Sequence, residues 1–270
     1  FPCNLQDALI IIHPMTEKPP LLHANHTRGA AVKALGPGSW RLEIPAGPAR
    51  RYRLAQVDDY SQLRREDFCW QPPLRLSLRA RASAADLPGT WGFGFWNDPF
   101  SLSMGLGGAA QRFPALPNAA WFFFASPPNY LSFRDNLPAQ GLLAATFQAP
   151  SIPPALLALA APGLGLAAIP GGAQMVRRIL RRLVKQSAAL VPGEVTASHH
   201  YTLDWQVEGV TFALDRQIIH ATPIAPGGPL GLVIWIDNQY AALPPAGGLR
   251  FGTLENSLPA WLEIEGLKVE

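Results

Sequence analysis

Charged residues are scarce in this chain, and acidic residues are missing from long stretches of it. Only 15% of the 270 residues are charged, and the formal net charge of +3 argues against a general nucleic-acid binder. No acid occurs between Asp98 and Asp135, and the 41 positions from Asn136 to Val176 carry no charge at all. Basic residues concentrate in 151–193, which has five bases and no acid, whereas the rest has 17 bases and 19 acids.

Cysteines and short catalytic motifs are also rare. Cys3 and Cys69 are the two cysteines, so the chain has either one disulfide or two free thiols. Metal-binding spacings such as C-x-x-C and H-E-x-x-H are absent, as are the phosphate loop, the dinucleotide fingerprint and the G-x-S-x-G nucleophile context. We therefore expect no metal and no cofactor. The sequence leaves the compartment and the oligomeric state open.

Turn-forming residues and short apolar segments predict an all-β protein. Proline (28) and glycine (24) make up nearly a fifth of the chain, which excludes a helical bundle. Residues 73–81 alternate between apolar and polar, as in a half-solvated antiparallel strand, and Trp121–Phe124 is an apolar run typical of a strand buried on both sides. We predict one antiparallel β-sandwich over 1–270, with an irregular N-terminal segment at 1–38.

Residues 151–193 interrupt this pattern and are predicted to form an insertion. Ile152–Pro170 is an apolar hairpin whose four prolines and two glycines argue against a spanning helix. A basic amphipathic helix follows and ends at Pro192-Gly193. Its apolar positions recur at i, i+3 and i+4: Met175, Val176, Ile179, Leu180, Leu183 and Val184.

This insertion has several interpretations. The helix docks its apolar half on the sandwich, lies in a membrane interface with its arginines near anionic headgroups, or binds a partner protein. Alternatively, the hairpin closes over the cleft as a lid. The residues assigned to a membrane or lid role are Met175, Val176, Arg178, Ile179, Arg181 and Leu183.

Three blocks of sequence, in order, resemble the concanavalin A-like sandwich of glycoside hydrolase family 16, which includes laminarinases and β-glucanases. Leu76–Arg81, a short loop and Gly89–Trp96 are similar to that family's strand, loop and G-x-W-P-A-x-W passage. His200–Trp205 and Val210–Asp215 resemble its H-x-Y-x-x-E-W strand and following hairpin, and Trp261–Val269 resembles its last strand. The resemblance implies a jelly-roll sandwich with one inserted amphipathic helix.

The chain departs from this family at the catalytic strand, which carries E-x-D-x-x-E in the family. Retaining hydrolysis needs two carboxyl groups about 5–5.5 Å apart, and alternate positions of one strand supply them. The corresponding segment here, Asn118–Ser126, has no carboxylate in any register. No catalytic residue is therefore transferred from the family, and the standard retaining mechanism is not expected.

Polar residues beside apolar strands mark a candidate cleft. The loop Trp96-Asn97-Asp98 and the strand end Trp235-Ile236-Asp237-Asn238-Gln239 combine an indole with hydrogen-bonding groups, as ligand sites do. The predicted ligand-binding residues are Trp91, Trp96, Asn97, Asp98, Trp121, Phe123, Trp235, Asp237 and Gln239. The weak catalytic candidates are Asp58, Asp98, Asp135 and Asp237. His199, His200 and His220 are interpreted as structural.

Three functions remain open at this stage. The first is a non-hydrolytic ligand-binding sandwich that holds a glycan or an apolar, glycolipid-like molecule in an aromatic cleft. The second is an enzyme that uses the cleft for other chemistry on a lipid- or isoprenoid-like substrate at a membrane surface. The third is a divergent glycoside hydrolase with relocated carboxylates. The expected partners are a glycan or apolar small molecule and an anionic membrane surface, with no nucleic acid.

Overall fold

The computed structural model describes residues 21–99, 115–152 and 170–270. Two seven-stranded antiparallel sheets form a sandwich, as the sequence predicted. The sheets are named A and B, and strands are numbered in chain order. None of the helical segments in these ranges has the length and hydrophobicity of a membrane-spanning helix.

Sheet A contains the most apolar of the described strands. Across the sheet its strands are β1 (His23–His26), β4 (Leu54–Asp58), β13 (Gly231–Asp237), β6 (Thr90–Trp96), β7 (Ala119–Ala125), β8 (Gly141–Gln148) and β9 (Lys185–Leu190). All seven residues of β7 are buried, which confirms the prediction of a strand covered on both sides.

Sheet B has one face in water. Its strands are β12 (Gln217–Thr222), β11 (Gly209–Leu214), β10 (His199–Gln206), β5 (Leu74–Ala82), β16 (Ala260–Val269), β3 (Ser39–Ile44) and β2 (Ala31–Gly36). Along β5, residues at alternate positions are buried, as its period-two pattern predicted. A small ribbon of β14 (Gln239–Ala242) and β15 (Arg250–Thr253), a 3₁₀ turn at Arg65–Asp67 and helix α1 (Pro170–Leu183) complete the described elements.

The main core lies between the two sheets and is rich in aromatic rings. Trp91, Phe93 and Phe95 of β6 point into it, and Phe93 meets Tyr201 of β10 edge-to-face at 5.2 Å between ring centroids. A second apolar cluster covers the other face of sheet A, which we call its outer face. Because side chains alternate along a strand, β6, β7 and β13 each supply residues to both clusters.

Two predicted segment boundaries need correction. The part of 1–38 that the structure describes is not irregular throughout, because His23–His26 and Ala31–Gly36 pair at the edges of the two sheets. The helix ends at Leu183 and not at Pro192-Gly193, because Lys185–Leu190 pairs with β8 and forms the edge of sheet A. The predicted apolar hairpin (except Ile152 and the backbone of Pro170), Cys3 and residues 100–114 lie outside the described residues.

Candidate functional site

The outer face of sheet A is built around two glycines on its middle strand. Gly92 and Gly94 of β6 point outward, and the indoles of the neighbouring strands lie across them. A Cβ atom at Gly92 would lie 2.8 Å from Cη2 of Trp235, and one at Gly94 would lie 2.7 Å from Cβ of Trp121. The sequence predicted that these glycines allow a close approach, and the groups that approach are the backbone of β7 and, at Gly92, the Trp235 indole.

Three tryptophans and a phenylalanine form one cluster there, which we call the aromatic face: Trp96, Trp121, Phe123 and Trp235. Trp96 stacks on Trp235 at 6.3 Å with an interplanar angle of 6°, and Trp121 lies 5.6 Å from Trp235. Phe123 stacks on Trp121 at 5.2 Å. These centroid distances fall within the range of favourable aromatic pairs. Tertiary pairing of β13, β6 and β7 therefore unites predicted ligand-binding residues that lie far apart in the sequence.

The aromatic face is covered and is not an open groove. Trp121 is 7% exposed and Trp235 is 8% exposed, whereas Trp96 at the end of β6 is half-buried. Trp96 is therefore the most accessible of the three indoles.

The three indole N–H groups of the aromatic face differ in their partners. Trp235 donates its N–H to the Thr90 hydroxyl oxygen at 2.9 Å. The buried N–H groups of Trp96 and Trp121 have no acceptor among the described residues. A buried donor without a partner costs about 1–3 kcal/mol. The cluster thus has two donors that an incoming oxygen acceptor would satisfy.

Asp237 closes one end of the aromatic face. Its Oδ1 accepts hydrogen bonds from the Thr90 hydroxyl at 2.8 Å and from the backbone N–H of Gln239 at 3.1 Å. Burial raises the pKa of Asp237 to about 7, although these hydrogen bonds act in the opposite direction. Trp235, Thr90 and Asp237 form one hydrogen-bonded chain, and Gln239 lies buried next to it.

Asp58 is fixed by four hydrogen bonds, one of which joins it to Asn25 on the edge strand β1. Its carboxylate accepts from Asn25 at 2.6 Å, from Gln56 at 2.8 Å and from the backbone N–H groups of Tyr60 and Ser61. The adjacent Asp59 accepts from the Trp70 indole and from the Leu232 N–H. Burial, with the neighbouring Asp58 charge in the same direction, raises the pKa of Asp59 to about 6.

Asn97 and Asp98 form the buried turn that follows β6. The Asn97 amide donates to the Leu116 carbonyl at 2.8 Å, and its Oδ1 accepts from the Asn118 N–H at 3.0 Å. Asp98 adopts a positive φ of 46°, and its carbonyl accepts from the Arg65 guanidinium at 2.7 Å. Both residues lie beside Trp96, and these contacts fix the backbone of the turn.

Asp135 belongs to a different cluster. Its half-exposed carboxylate pairs with Arg177 at 2.5 Å and with Arg181 at 3.6 Å, both on α1. It therefore holds the helix in place and does not contribute to the Asp237 end of the aromatic face.

The strand register separates the catalytic candidates. Asp58 lies opposite Val233 on β13, and Asp237 is four residues further along that strand, which corresponds to about 13 Å. Asp98 lies two residues beyond Trp96, which pairs with Gly231, so it is further still from Asp237. Glycosidase carboxyl pairs lie about 5–5.5 Å or 6.5–9.5 Å apart. The register thus keeps Asp237 too far from Asp58 and from Asp98 for such a pair.

Trp91, one of the predicted ligand-binding residues, lies on the wrong face for this site. It is 1% exposed in the core between the sheets and stacks on Phe124 at 5.4 Å. The reason is alternation, because Trp91 and Trp96 are five residues apart and so point to opposite faces of β6. Trp91 is a core residue, and its assignment to the site was wrong.

Sequence analysis missed two groups that the tertiary structure places in contact. Thr90 contacts Trp235 and Asp237, which lie 145 and 147 residues from it in the sequence, and no local motif signals these contacts. Ser187 and His220 share a hydrogen bond of 2.8 Å that joins the edges of the two sheets. Burial lowers the pKa of His220, which favours its neutral form. No group of three or more potential metal-binding side chains occurs in the described ranges.

Solved structures similar to this chain come from the family that its motifs resemble. A glycoside hydrolase family 16 endo-glucanase from Bacteroides ovatus is 11% identical, with 92% of this chain and 94% of that chain covered and a TM-score of 0.46. Bacillus licheniformis β-glucanase is 10% identical, with 94% of each chain covered and a TM-score of 0.45. The laminarinase catalytic domain from Thermotoga maritima is 10% identical, with 90% of this chain and 80% of that chain covered and a TM-score of 0.44.

No protein-family model matches the sequence, and no curated protein matches it. Identities near 10% leave activity and substrate undetermined. The sandwich architecture of this chain is shown by the pairing of its own strands.

Proposed function

We propose that the aromatic face binds a ligand and does not hydrolyse it. The observation that carries this proposal is the aromatic cluster on one face of the sheet, in which the buried indole N–H of Trp121 has no acceptor within the described residues. The ligand therefore combines an apolar surface with oxygen acceptors. Sugar rings of a glycan or of a glycolipid have this combination, and aromatic rings with a few polar groups are typical of small-molecule sites.

The absence of hydrolysis is inferred from β7, one of the three strands that build the aromatic face. The outward positions of β7 are Ala119, Trp121, Phe123 and Ala125, so this strand presents no carboxylate. Asp237 is the buried acid at the edge of the aromatic face, and the register places Asp58 about 13 Å from it along β13, beyond glycosidase spacing. A lone buried acid next to Thr90 and Gln239 is suited to hydrogen bonding.

A calorimetric titration with β-glucan oligosaccharides tests ligand binding. Trp121→Phe retains an aromatic ring but removes the N–H, and loss of one hydrogen bond of about 1 kcal/mol predicts roughly fivefold weaker binding. Trp96→Ala removes the accessible indole and is expected to weaken binding further. The matched control is Trp261→Phe on the outer face of sheet B, where the indole lies 4.2 Å from the Arg41 guanidinium.

The apolar alternative has its own readout, because mass spectrometry of an organic extract of the native protein detects a bound glycolipid or isoprenoid. The proposal fails if neither oligosaccharide nor extracted lipid binds, or if Trp261→Phe weakens binding as much as Trp121→Phe. Release of reducing sugar from β-glucan, lost in Asp237→Asn or in Asn variants of Asp58, Asp98 or Asp135, would instead show a hydrolase.

A further inference from the structure

Helix α1 is anchored to the sandwich by a buried arginine. Arg177 is 5% exposed, and its guanidinium donates to the carbonyl oxygens of Ser132 and Leu243, each at 2.6 Å. It also pairs with Asp135 and lies 5.3 Å from the ring of Tyr130. These contacts come from two different loops, so they fix the rotation of the helix about its axis.

The rotation sets which side of the helix meets the protein. Ala173 and Val184 are buried together with Arg177, at 0% and 1% exposure. At about 100° per residue these three positions lie within about 40° of one another. Met175 is on the opposite side of the helix by the same count, so the outward side is centred on an apolar residue.

An exposed apolar row results from this orientation. Met175, Ile179 and Leu183 are 54%, 44% and 39% exposed. They are spaced at i, i+4 and i+8, so they form one line about 12 Å long on the helix surface. Of the interpretations that the sequence left open, docking of the apolar half on the sandwich does not hold for these three residues. Soluble proteins usually expose large apolar side chains singly, and a continuous row indicates an interaction surface.

Basic side chains accompany this row. Arg178 and Arg182 are exposed and lie within about 60° of Met175 around the helix, and Lys185 is exposed just after it. No acid occurs from Asn136 to Gly193, and within the described residues Asp135 is the carboxylate that pairs with the helix, through Arg177 and Arg181. The outward surface is thus both apolar and positively charged.

We infer that the outward side of α1, defined by Met175, Arg178, Ile179, Arg182 and Leu183, docks on an anionic lipid bilayer. Apolar side chains enter the boundary between headgroups and acyl chains, and arginines contact the phosphates of anionic lipids. The inference is independent of the ligand that the aromatic face binds. A lipid surface is favoured over a soluble polyanion because a bilayer buries the exposed apolar row, whereas a polyanion contacts only the basic side chains.

Vesicle co-sedimentation with the full chain tests the inference. The probe is a vesicle of phosphatidylglycerol and phosphatidylcholine, compared with phosphatidylcholine alone, at 50 and 300 mM salt. Each basic residue near an anionic surface changes binding by roughly fivefold, so Arg178→Glu with Arg182→Glu is expected to reduce binding at least 25-fold at low salt. Ile179→Ser is expected to weaken binding at both salt concentrations, since it removes apolar contact.

The matched control reverses the same number of charges elsewhere. Arg28→Glu with Arg250→Glu changes two exposed arginines outside α1 and is expected to bind like the unaltered chain. Circular dichroism checks that every variant is folded. The inference is overturned if the control loses binding equally, if neutral vesicles bind equally well, if no vesicle binds, or if heparin binds while vesicles do not.

Discussion

Replacing Asp237 by asparagine is expected to remove much of the pH dependence of stability. The carboxylate of Asp237 is buried at the end of β13, and burial raises its pKa from 3.8 to about 7. Between these two values the folded state holds a proton that the unfolded state releases. The free energy of unfolding therefore falls as the pH rises from about 4 to about 7.

The magnitude follows from the size of the shift. About three units of pKa at 1.36 kcal/mol per unit correspond to roughly 4 kcal/mol, of which about 3 kcal/mol is expressed between pH 4.5 and pH 8. Asparagine retains the Oδ1 that accepts from Thr90 and from the Gln239 N–H, and it carries no charge at any pH. Relative to the unaltered chain, Asp237→Asn should therefore gain about 3 kcal/mol of stability between pH 4.5 and pH 8.

Urea unfolding at several pH values measures this difference. Asp59, whose pKa is raised to about 6, contributes a similar slope to both proteins and cancels in the comparison. Asp86→Asn, at an exposed position, is the control and should leave the profile unchanged. Parallel stability profiles for Asp237→Asn and the unaltered chain would refute the assignment of a buried, protonated carboxyl group at this site.

Three further predictions concern packing and charge. Gly94→Ala should destabilise the protein by about 1–3 kcal/mol in urea unfolding, because the new Cβ meets the Ala120 carbonyl oxygen and the Trp121 backbone at a positive φ. Gly227→Ala, with open space around it, should cost far less, and equal losses would contradict the close approach. Arg177→Leu should lower the free energy of unfolding by about 3 kcal/mol, because it leaves two carbonyl oxygens without their donor. Arg178→Leu should lower it by less than about 0.5 kcal/mol. Equal losses in thermal unfolding would argue against Arg177 as a buried anchor. Burial lowers the pKa of His220, so its contribution to stability should fall as the pH drops through about 6.5, and His220→Phe should lose that acid-side slope; an unchanged slope would show that His220 does not cause it.

The fold class was predictable because its signals are local. Alternation along residues 73–81 and the uninterrupted apolar run at 121–124 indicate a half-solvated strand and a doubly buried strand, and both predictions are confirmed. The absence of acids from 118–126 is also a property of the sequence alone. The local order of residues was enough for these inferences, because each depends only on residues that are neighbours in the sequence.

The candidate site was only partly predictable. Periodicity divides a strand into two faces but does not say which face meets the other sheet. Trp91 and Trp96 were both assigned to the cleft, although they point to opposite faces of β6. Thr90 could not be found, because its partner Asp237 is distant in the sequence and becomes its neighbour only when β13 pairs with β6.

The helix shows most clearly which properties the sequence determines and which depend on the tertiary structure. The residues alone determine a helix with bases on one half and apolar side chains on the other. Its rotation is decided by Arg177, whose guanidinium finds two carbonyl oxygens and a carboxylate in loops distant along the chain. Those hydrogen bonds fix the desolvated arginine inside, and so Met175, Ile179 and Leu183 face outward. An amphipathic pattern determines that a helix has two sides, but only the long-range hydrogen bonds of a buried charge decide which side the protein covers.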